Sequence, residues 1–224
     1  MRLFSDEDML RLDPLLSHDV TILDGYDRPY VCGCDEVGRG ALAASIVAAA
    51  VILRPSAARL DIKDSKRFSS RTKRAAVASE LMDHMVDHAI AWVDAETIDE
   101  VGIQEANRRV MMRAITGLAV DGNDLVAILD GNPLWPGMMD GIECVWIPGG
   151  DSSSQAVAAA SIIAKVARDD VMIELGERYP DYGFERHVGY GAQEHIAAIR
   201  RHGIIPGIHR RSFIHFDEET SKDE

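Results

Sequence analysis

The sequence is short of cysteine, of long apolar runs and of positive charge, and the first two shortages each close off a class of protein. Three cysteines in 224 residues cannot form a fully paired disulfide framework. Cys32 and Cys34 stand two apart, which matches neither a redox pair nor a zinc knuckle, and they read with Cys144 as buried, reduced thiols. No apolar run approaches the roughly 18 residues of a membrane span. The acidic opening MRLFSDEDML lacks the apolar stretch of a secretory signal. No internal repeat and no low-complexity tract stands out. The expectation is a cytoplasmic, soluble protein with no membrane partner and one substantial core.

The shortage of positive charge needs placing before it excludes anything. The formal net charge is −13. Residues 1–30 hold three basic and seven acidic side chains, and residues 214–224 hold one basic and five acidic ones, so each end accounts for −4. The body between them carries 20 basic and 25 acidic residues. Two divalent ions on four of those acids would bring it near neutrality, so phosphate-bearing partners stay open.

What the chain does have is a dense stretch from Tyr30 to Leu53, YVCGCDEVGRGALAASIVAAAVIL. Short β-branched runs bounded by glycine predict two buried strands, with Asp35 and Glu36 where one hands over to the next. Alternation along a strand sends neighbouring side chains to opposite faces, so the two acids share a site only if Glu36 has left the strand. Gly38 and Gly40 supply a sharp turn with bare backbone around Arg39, able to approach a ligand closely. A bare Asp-Glu pair is more often simply a charged turn. Beside so apolar a strand, however, a carboxylate pair is costly unless compensated, and a metal would compensate it.

Further along, Ser69 or Ser70 caps a predicted helix in which Val77, Leu81, Met82, Met85 and Val86 recur at helical steps. His84 and His88 would lie four apart on it, more plausibly as a solvated face than as a metal pair. HAIAWVDA predicts a strand, followed by a short helix near 95–101 and a longer one from about Gln104 to Val120. LVAILD, residues 125–130, is a strong buried strand ending in Asp130-Gly131-Asn132-Pro133. That sequence is a turn signal, and a strand's carboxyl end is also where open α/β sheets place their sites. CVWIP predicts a last, shorter strand. Gly149-Gly150-Asp151-Ser152 then opens a long helix to about Arg178, with Asp151, Ser154, Ala158, Ser161, Lys165 and Arg168 along one stripe. Asp151 serves equally as a helix cap. Asp169 and Asp170 fall off the stripe and read as structural or solvated. From Tyr179 to Phe213, tyrosines and glycines alternate with Arg186, His187 and the basic His209-Arg210-Arg211, which suits either stacking with phosphate contact or core aromatics with a solvated edge.

Asp35, Glu36, Asp130 and Asp151 form an all-oxygen set, the hard-ligand type that selects Mg²⁺ or Mn²⁺ over zinc. Two such ions about 4 Å apart support in-line phosphodiester cleavage by water, and no serine or cysteine nucleophile with a base is visible.

The pieces GCDEVGRG, VAAAVIL, IKDSKRFS, ILDGN, GDSSSQAVAAASIIAKVARD, YPDYGFERHVGYG and HRRSF, in that order over about residues 30–213, resemble the ribonuclease HII family. The resemblance implies an α/β fold, a ribonuclease H-like mixed five-stranded sheet flanked by helices with a small helical C-terminal part. It divides the chain into an acidic extension at 1–29, a catalytic domain at 30–213 whose residues 180–213 bind substrate, and an acidic tail at 214–224. It implies that Asp35, Glu36, Asp130 and Asp151 are the metal-binding and catalytic acids, with two Mg²⁺ or Mn²⁺ ions as cofactors. Gly38, Arg39 and Gly40 would read ribose 2′-hydroxyls at an RNA–DNA junction, and Tyr190 would stack on the adjoining deoxyribose. Lys66, Ser161, Lys165 and Arg168 would be phosphate-side contacts or their supports. The implied reaction is hydrolysis on the 5′ side of a ribonucleotide, in RNA–DNA hybrids or embedded in duplex DNA, leaving 3′-hydroxyl and 5′-phosphate ends; it would serve ribonucleotide excision repair and replication.

Four positions depart from the family pattern: Ala41 for a usual proline, Ser153 for a lysine, Ala192 for a threonine, and Gly207 as an extra residue. The first is expected to loosen the Gly38–Gly40 loop and the second to remove a phosphate contact. A ribonuclease HIII would bring a larger N-terminal domain than 29 residues. A non-catalytic junction-binding protein and a general Mg²⁺ phosphatase are the competing readings. The chain is expected to be monomeric, and residues 214–224 show no aromatic motif for a replication clamp.

Overall fold

The apolar runs become strands along their whole length. The computed structural model describes residues 14–60, 62, 70–133, 138–139 and 141–215. Among these, the strands are β1 (Tyr30–Val37), β2 (Ile46–Leu53), β3 (Met85–Val93), β4 (Leu125–Asp130), β5 (Met138–Met139) and β6 (Ile142–Ile147). They form one mixed sheet in the order β3-β2-β1-β4-β6-β5. The expected five strands are present, and the two-residue β5 adds a sixth at the edge. Strands β1, β2 and β3 pair antiparallel, while β4 runs parallel to both β1 and β6.

Helices cover both faces. In chain order they are α1 (Pro14–Asp24), α2 (Arg71–Met82), α3 (Ala95–Val101), α4 (Ile103–Thr116), α5 (Gln155–Arg178), α6 (Phe184–His187) and α7 (Gln193–His202). Every residue of β2 is buried, as its unbroken apolar sequence requires. Ile46, Ala48, Ala50 and Ile52 pack with Val110, Met111 and Ile115 of α4. Ala49, Val51 and Leu53 pack on the other face with Ala78 and Leu81 of α2 and with the alanines and isoleucines of α5. Gly33 is what lets α5 press onto β1: a Cβ there would lie 2.1 Å from the backbone of Ala156 and Val157. A third apolar cluster joins Tyr182, Phe184, Ala198 and Ile199 to Met172 and Leu175 near the far end of α5 and to Ala43 and Ala44. All three cysteines are buried and in no disulfide.

Several boundaries differ from the sequence pattern. Ser70 caps α2 by accepting from the Lys73 N–H, but the helix stops at Met82. Met85 pairs with Leu53, and β3 then follows β2 along its length, so the backbone hydrogen bonds of the ladder win over continued helical periodicity. His84 and His88 are therefore not a helical pair. His84 lies in the turn with Nδ1 2.8 Å from Ser56 Oγ, and His88 stands opposite Val51 on β3. Helix α4 ends at Thr116 rather than Val120, with Gly117 at its C-cap. Asp151 is outside α5, in a 3₁₀ turn at Gly150–Ser152, because Gly149 takes a left-handed φ of 70° and Ser154 becomes the N-cap. Asp169 and Asp170 pair with Arg74 and Arg71 and so tie α5 to α2. The lead-in before Tyr30 contains a packed element: Leu16, Val20 and Leu23 of α1 are buried at three- and four-residue steps.

Candidate active site

The register of the sheet brings the first carboxylates together. Cys34 stands opposite Leu129 in the parallel β1–β4 pair, and the next step sets Asp35 beside Asp130 on the same face. Gly33 on that face meets the first turn of α5, so Asp35 points toward α5. Glu36 does not leave the strand, contrary to the condition the alternation seemed to set; it is still paired with Ala48. Its side chain emerges on the α4 face, where Cys34 Sγ approaches the Met111 carbonyl and Asn107 lies within hydrogen-bonding influence of the carboxyl. The charge of Glu36 is nonetheless felt at Asp35. The edge of β1 toward β4 is open beyond Asp35 because β4 ends at Asp130.

Burial and neighbouring charge act on these acids together. Asp35 is 7% exposed. Burial pushes its pKa from 3.8 up to about 7, the charges of Glu36 and Asp130 add to the rise, and the Ser161 hydroxyl and Lys165 oppose it. Burial also raises Glu36, with Asp130 contributing, while Arg39 and Asn107 pull it back. Asp130 thus acts on both neighbours. Its Oδ1 accepts from the Gly150 N–H at 2.6 Å, and Asp151 is the next residue, accepting from Ser152 Oγ at 3.2 Å. Among the described residues, no three Asp, Glu, His or Cys side chains converge as a closed metal cage. Asp35 and Glu36 leave opposite faces of β1, and Asp130 is turned onto Gly150. The donor set nevertheless fits a hard divalent cation: four carboxylates from three neighbouring segments, two of them held short of easy ionisation by burial and by the charge of Asp130.

Beside the acids, the Gly38–Ser45 connection is held almost wholly through its backbone. Gly38 has a φ of 86°, and a Cβ on it would strike Arg168 Nε. Arg39 and Gly40 are exposed. The Leu42 N–H donates to the Gly189 carbonyl and the Ala44 N–H to that of Ile208, both at 2.8 Å. Two buried arginines complete the frame. Arg168 donates to the carbonyls of Ser45, Val188 and Ala43, and Arg210 to those of Ala44, Gly38 and Arg39. Ala41 does not leave this loop slack, since its N–H, which proline would lack, donates to the Gly38 carbonyl at 3.2 Å. Ala192 has a concrete cost, because it heads α7 with no side-chain cap.

These bonds join the Gly38–Gly40 loop to Tyr190, whose ring is 39% exposed and 5.5 Å from the Arg168 guanidinium. Beside Tyr190 the rings of His187, His195 and His209 form a buried set. His195 Nδ1 donates to the Tyr190 carbonyl, His209 Nδ1 accepts from the Ile205 N–H, and the facing Nε2 atoms are 3.2 Å apart. Those partners leave His209 Nε2–H as donor to His195 Nε2, with both rings neutral; burial accordingly lowers both pKa values, His209 to about 4. His209 and Arg210 are thus interior groups, not a solvated basic tail. Arg168 is 2% exposed and spends its donors on backbone, so it supports the loops rather than meeting a phosphate. Ser161 and Lys165, bonded to each other at 2.9 Å, back Asp35. Lys66 lies outside the described residues. Sequence reasoning passed over Asn107, although an asparagine amid the apolar positions Ala106, Val110 and Met111 was a usable signal. It also passed over Asp19, for which no local signal exists.

Comparison with known proteins bears on this arrangement. The family model described as Ribonuclease HII matches residues 32–216. The ribonuclease HII of Laribacter hongkongensis is 44% identical over 183 residues, covering 82% of this chain and 90% of that protein. The crystal structure of ribonuclease H2 from Pyrococcus horikoshii matches with a TM-score of 0.69 at 25% identity, over 82% of this chain and 93% of that one. A ribonuclease HIII in complex with Mn²⁺ shares the fold, with a TM-score of 0.59 at 20% identity, over 82% of this chain and 66% of that one.

Proposed function

The chain belongs to the ribonuclease HII family, and from that premise we propose that it is an endonuclease that hydrolyses the phosphodiester on the 5′ side of ribonucleotides, both in RNA–DNA hybrids and singly embedded in duplex DNA. Water adds to phosphorus, the bond from phosphorus to the upstream 3′ oxygen breaks, and that oxygen leaves as a 3′-hydroxyl opposite a 5′-phosphate. The observation that carries this reading is the placing of Asp35 beside Asp130, with Glu36 next to them, where β4 ends, a set of acids that burial makes costly to charge without a cation. These three and Asp151 would hold two Mg²⁺ or Mn²⁺ ions. Bound there, such ions supply an acidified water and offset charge on the leaving oxygen. Lys165 and Ser161 set the orientation and ionisation of Asp35, and Asn107 and Arg39 do the same for Glu36.

Selectivity for RNA comes from the loop. Exposed Arg39 and Gly40 offer backbone and guanidinium donors beside the acids, able to contact a 2′-hydroxyl that DNA lacks. Tyr190, fixed to the same frame, offers a flat apolar face to the adjoining sugar. The deciding experiment uses a labelled duplex with one ribonucleotide, an all-DNA duplex and an RNA–DNA hybrid, each with Mg²⁺, Mn²⁺ or chelator. A metal-dependent cut 5′ of the ribonucleotide that spares all-DNA supports the proposal. Cleavage of the hybrid alone refutes the junction-reading role of the loop and Tyr190. Binding without cleavage points to a non-catalytic junction-binding protein.

A further inference from the structure

Helix α1 lies outside the span matched by the family model, which starts at residue 32, yet one of its side chains reaches the start of α5. Asp19 is fully buried. Its Oδ2 accepts from the Ala156 N–H at 2.9 Å; burial pushes its pKa from 3.8 up to about 7, and the Ser154 hydroxyl and the Ala156 and Gln155 amides oppose that rise. The opening N–H groups of any helix lack partners within the helix. At α5 the local cap, Ser154, takes only the Val157 N–H. The remaining first-turn donors are met by a carboxylate from 137 residues earlier in the chain, at the helix end where negative charge is favoured.

The same turn leads directly to the acids. The Ser154 N–H donates to the Gly150 carbonyl at 2.8 Å, and the Gly150 N–H donates to Asp130 Oδ1 at 2.6 Å. Asp151 sits between these bonds. A continuous line of hydrogen bonds therefore runs from the start of α5 to Asp130, and Asp19 closes its far end. A buried carboxyl with its other oxygen, Oδ1, unpartnered is a costly thing to keep for packing alone. Leu16 and Val20 already give α1 its apolar contact.

We propose that Asp19 is a positioning residue, capping α5 from outside the family's common core and so fixing the 150–154 turn that holds Asp130 and presents Asp151. This rests on the reading of Asp130 and Asp151 as metal ligands only for its consequence, not for the turn itself.

The test uses the full chain with Asp19→Ala, Asp19→Asn and, as a control that loosens α1 without touching the cap, Leu16→Ala. Amide hydrogen exchange is followed in metal-free protein, and Mn²⁺ binding is followed by the electron paramagnetic resonance of the free ion. Loss of the cap should speed exchange at Gly150 and Ser154 about tenfold in Asp19→Ala, beyond any change in the sheet, and about threefold in Asp19→Asn, which keeps an acceptor. Leu16→Ala should not single out this turn. Half-saturation by Mn²⁺ should rise roughly tenfold in Asp19→Ala and less in Asp19→Asn, tracking the exchange. Wild-type exchange at Gly150 and Ser154 in the Asp19 variants, or an equal effect from Leu16→Ala, overturns the proposal. Should the alanine variant not fold, Asp19→Asn decides alone: faster exchange confined to 150–154 supports the cap, and unchanged exchange sinks it. Should wild-type protein bind no Mn²⁺, the ligand reading fails, while the exchange result still decides the role of Asp19.

Discussion

Replacing Asp35 with asparagine is expected to make the metal-free protein more stable at alkaline pH, an unusual outcome for an active-site acid. Burial, with Glu36 and Asp130 adding to it, lifts Asp35 from 3.8 to about 7 in the folded chain. The folded state therefore holds a proton that the unfolded state has already released between those values. Stability attributable to this group falls as pH rises through that window, and the whole penalty is present above about pH 7. Each pKa unit corresponds to about 1.4 kcal/mol, so three units set a ceiling on the order of 4 kcal/mol. Asparagine keeps the acceptor that the Glu36 N–H uses at Asp35 Oδ1 and removes the charge. The gain at pH 8 should be about 2–4 kcal/mol, or roughly 5–15 °C in Tm for a chain of this size, and should shrink toward nothing by about pH 4. Thermal or urea unfolding of both proteins in chelator across that range measures it. A variant less stable than wild type at pH 8, or a gain that does not change with pH, would refute the reasoning. Adding Mn²⁺ should narrow the difference, because an ion at about 100 times its Kd stabilises the wild type by about 2.7 kcal/mol and the variant by less.

Three further outcomes follow from the packing and the loop frame. Gly33→Ala should cost about 3 kcal/mol or more in urea unfolding, since its Cβ would meet the backbone of α5, which has no rotamer to yield. Arg210→Lys should cost about 2–4 kcal/mol, because one ammonium cannot reach the Ala44, Gly38 and Arg39 carbonyls as the planar guanidinium does; a Tm equal to wild type would contradict the frame drawn around the Gly38–Gly40 loop. Tyr190→Ala should leave stability within about 0.5 kcal/mol, given the ring's exposure, while raising KM for a duplex with one ribonucleotide about tenfold, as loss of a stacking contact of about 1–3 kcal/mol implies. An unchanged KM would remove Tyr190 from the proposed substrate contacts.

The sequence by itself determined the elements whose signal is local. An unbroken apolar run made β2 and β4 strands, and unpaired cysteine spacing marked thiols in no disulfide. The four acids stood out only as a motif set, because each sits in a segment that reads equally well as a turn or a cap. Tertiary structure decided everything that depends on a distant partner. Met85 and Val86 fit a helical stripe until β2 offers them a ladder. Asp35 and Glu36 keep strand alternation, and Asp35 comes to lie beside Asp130 only because β1 and β4 pair in parallel register. Arg168 read as a phosphate-side contact or its support and Arg210 as part of a basic edge, since little near them in the chain announces the carbonyls, as far as 172 residues away, that surround them. Asp19 looked like one more charge in an acidic lead-in, and it became a helix cap because α1 folds back onto α5. Periodicity is written along a chain, whereas the partners that satisfy a buried charge are set by which segments the fold brings into contact.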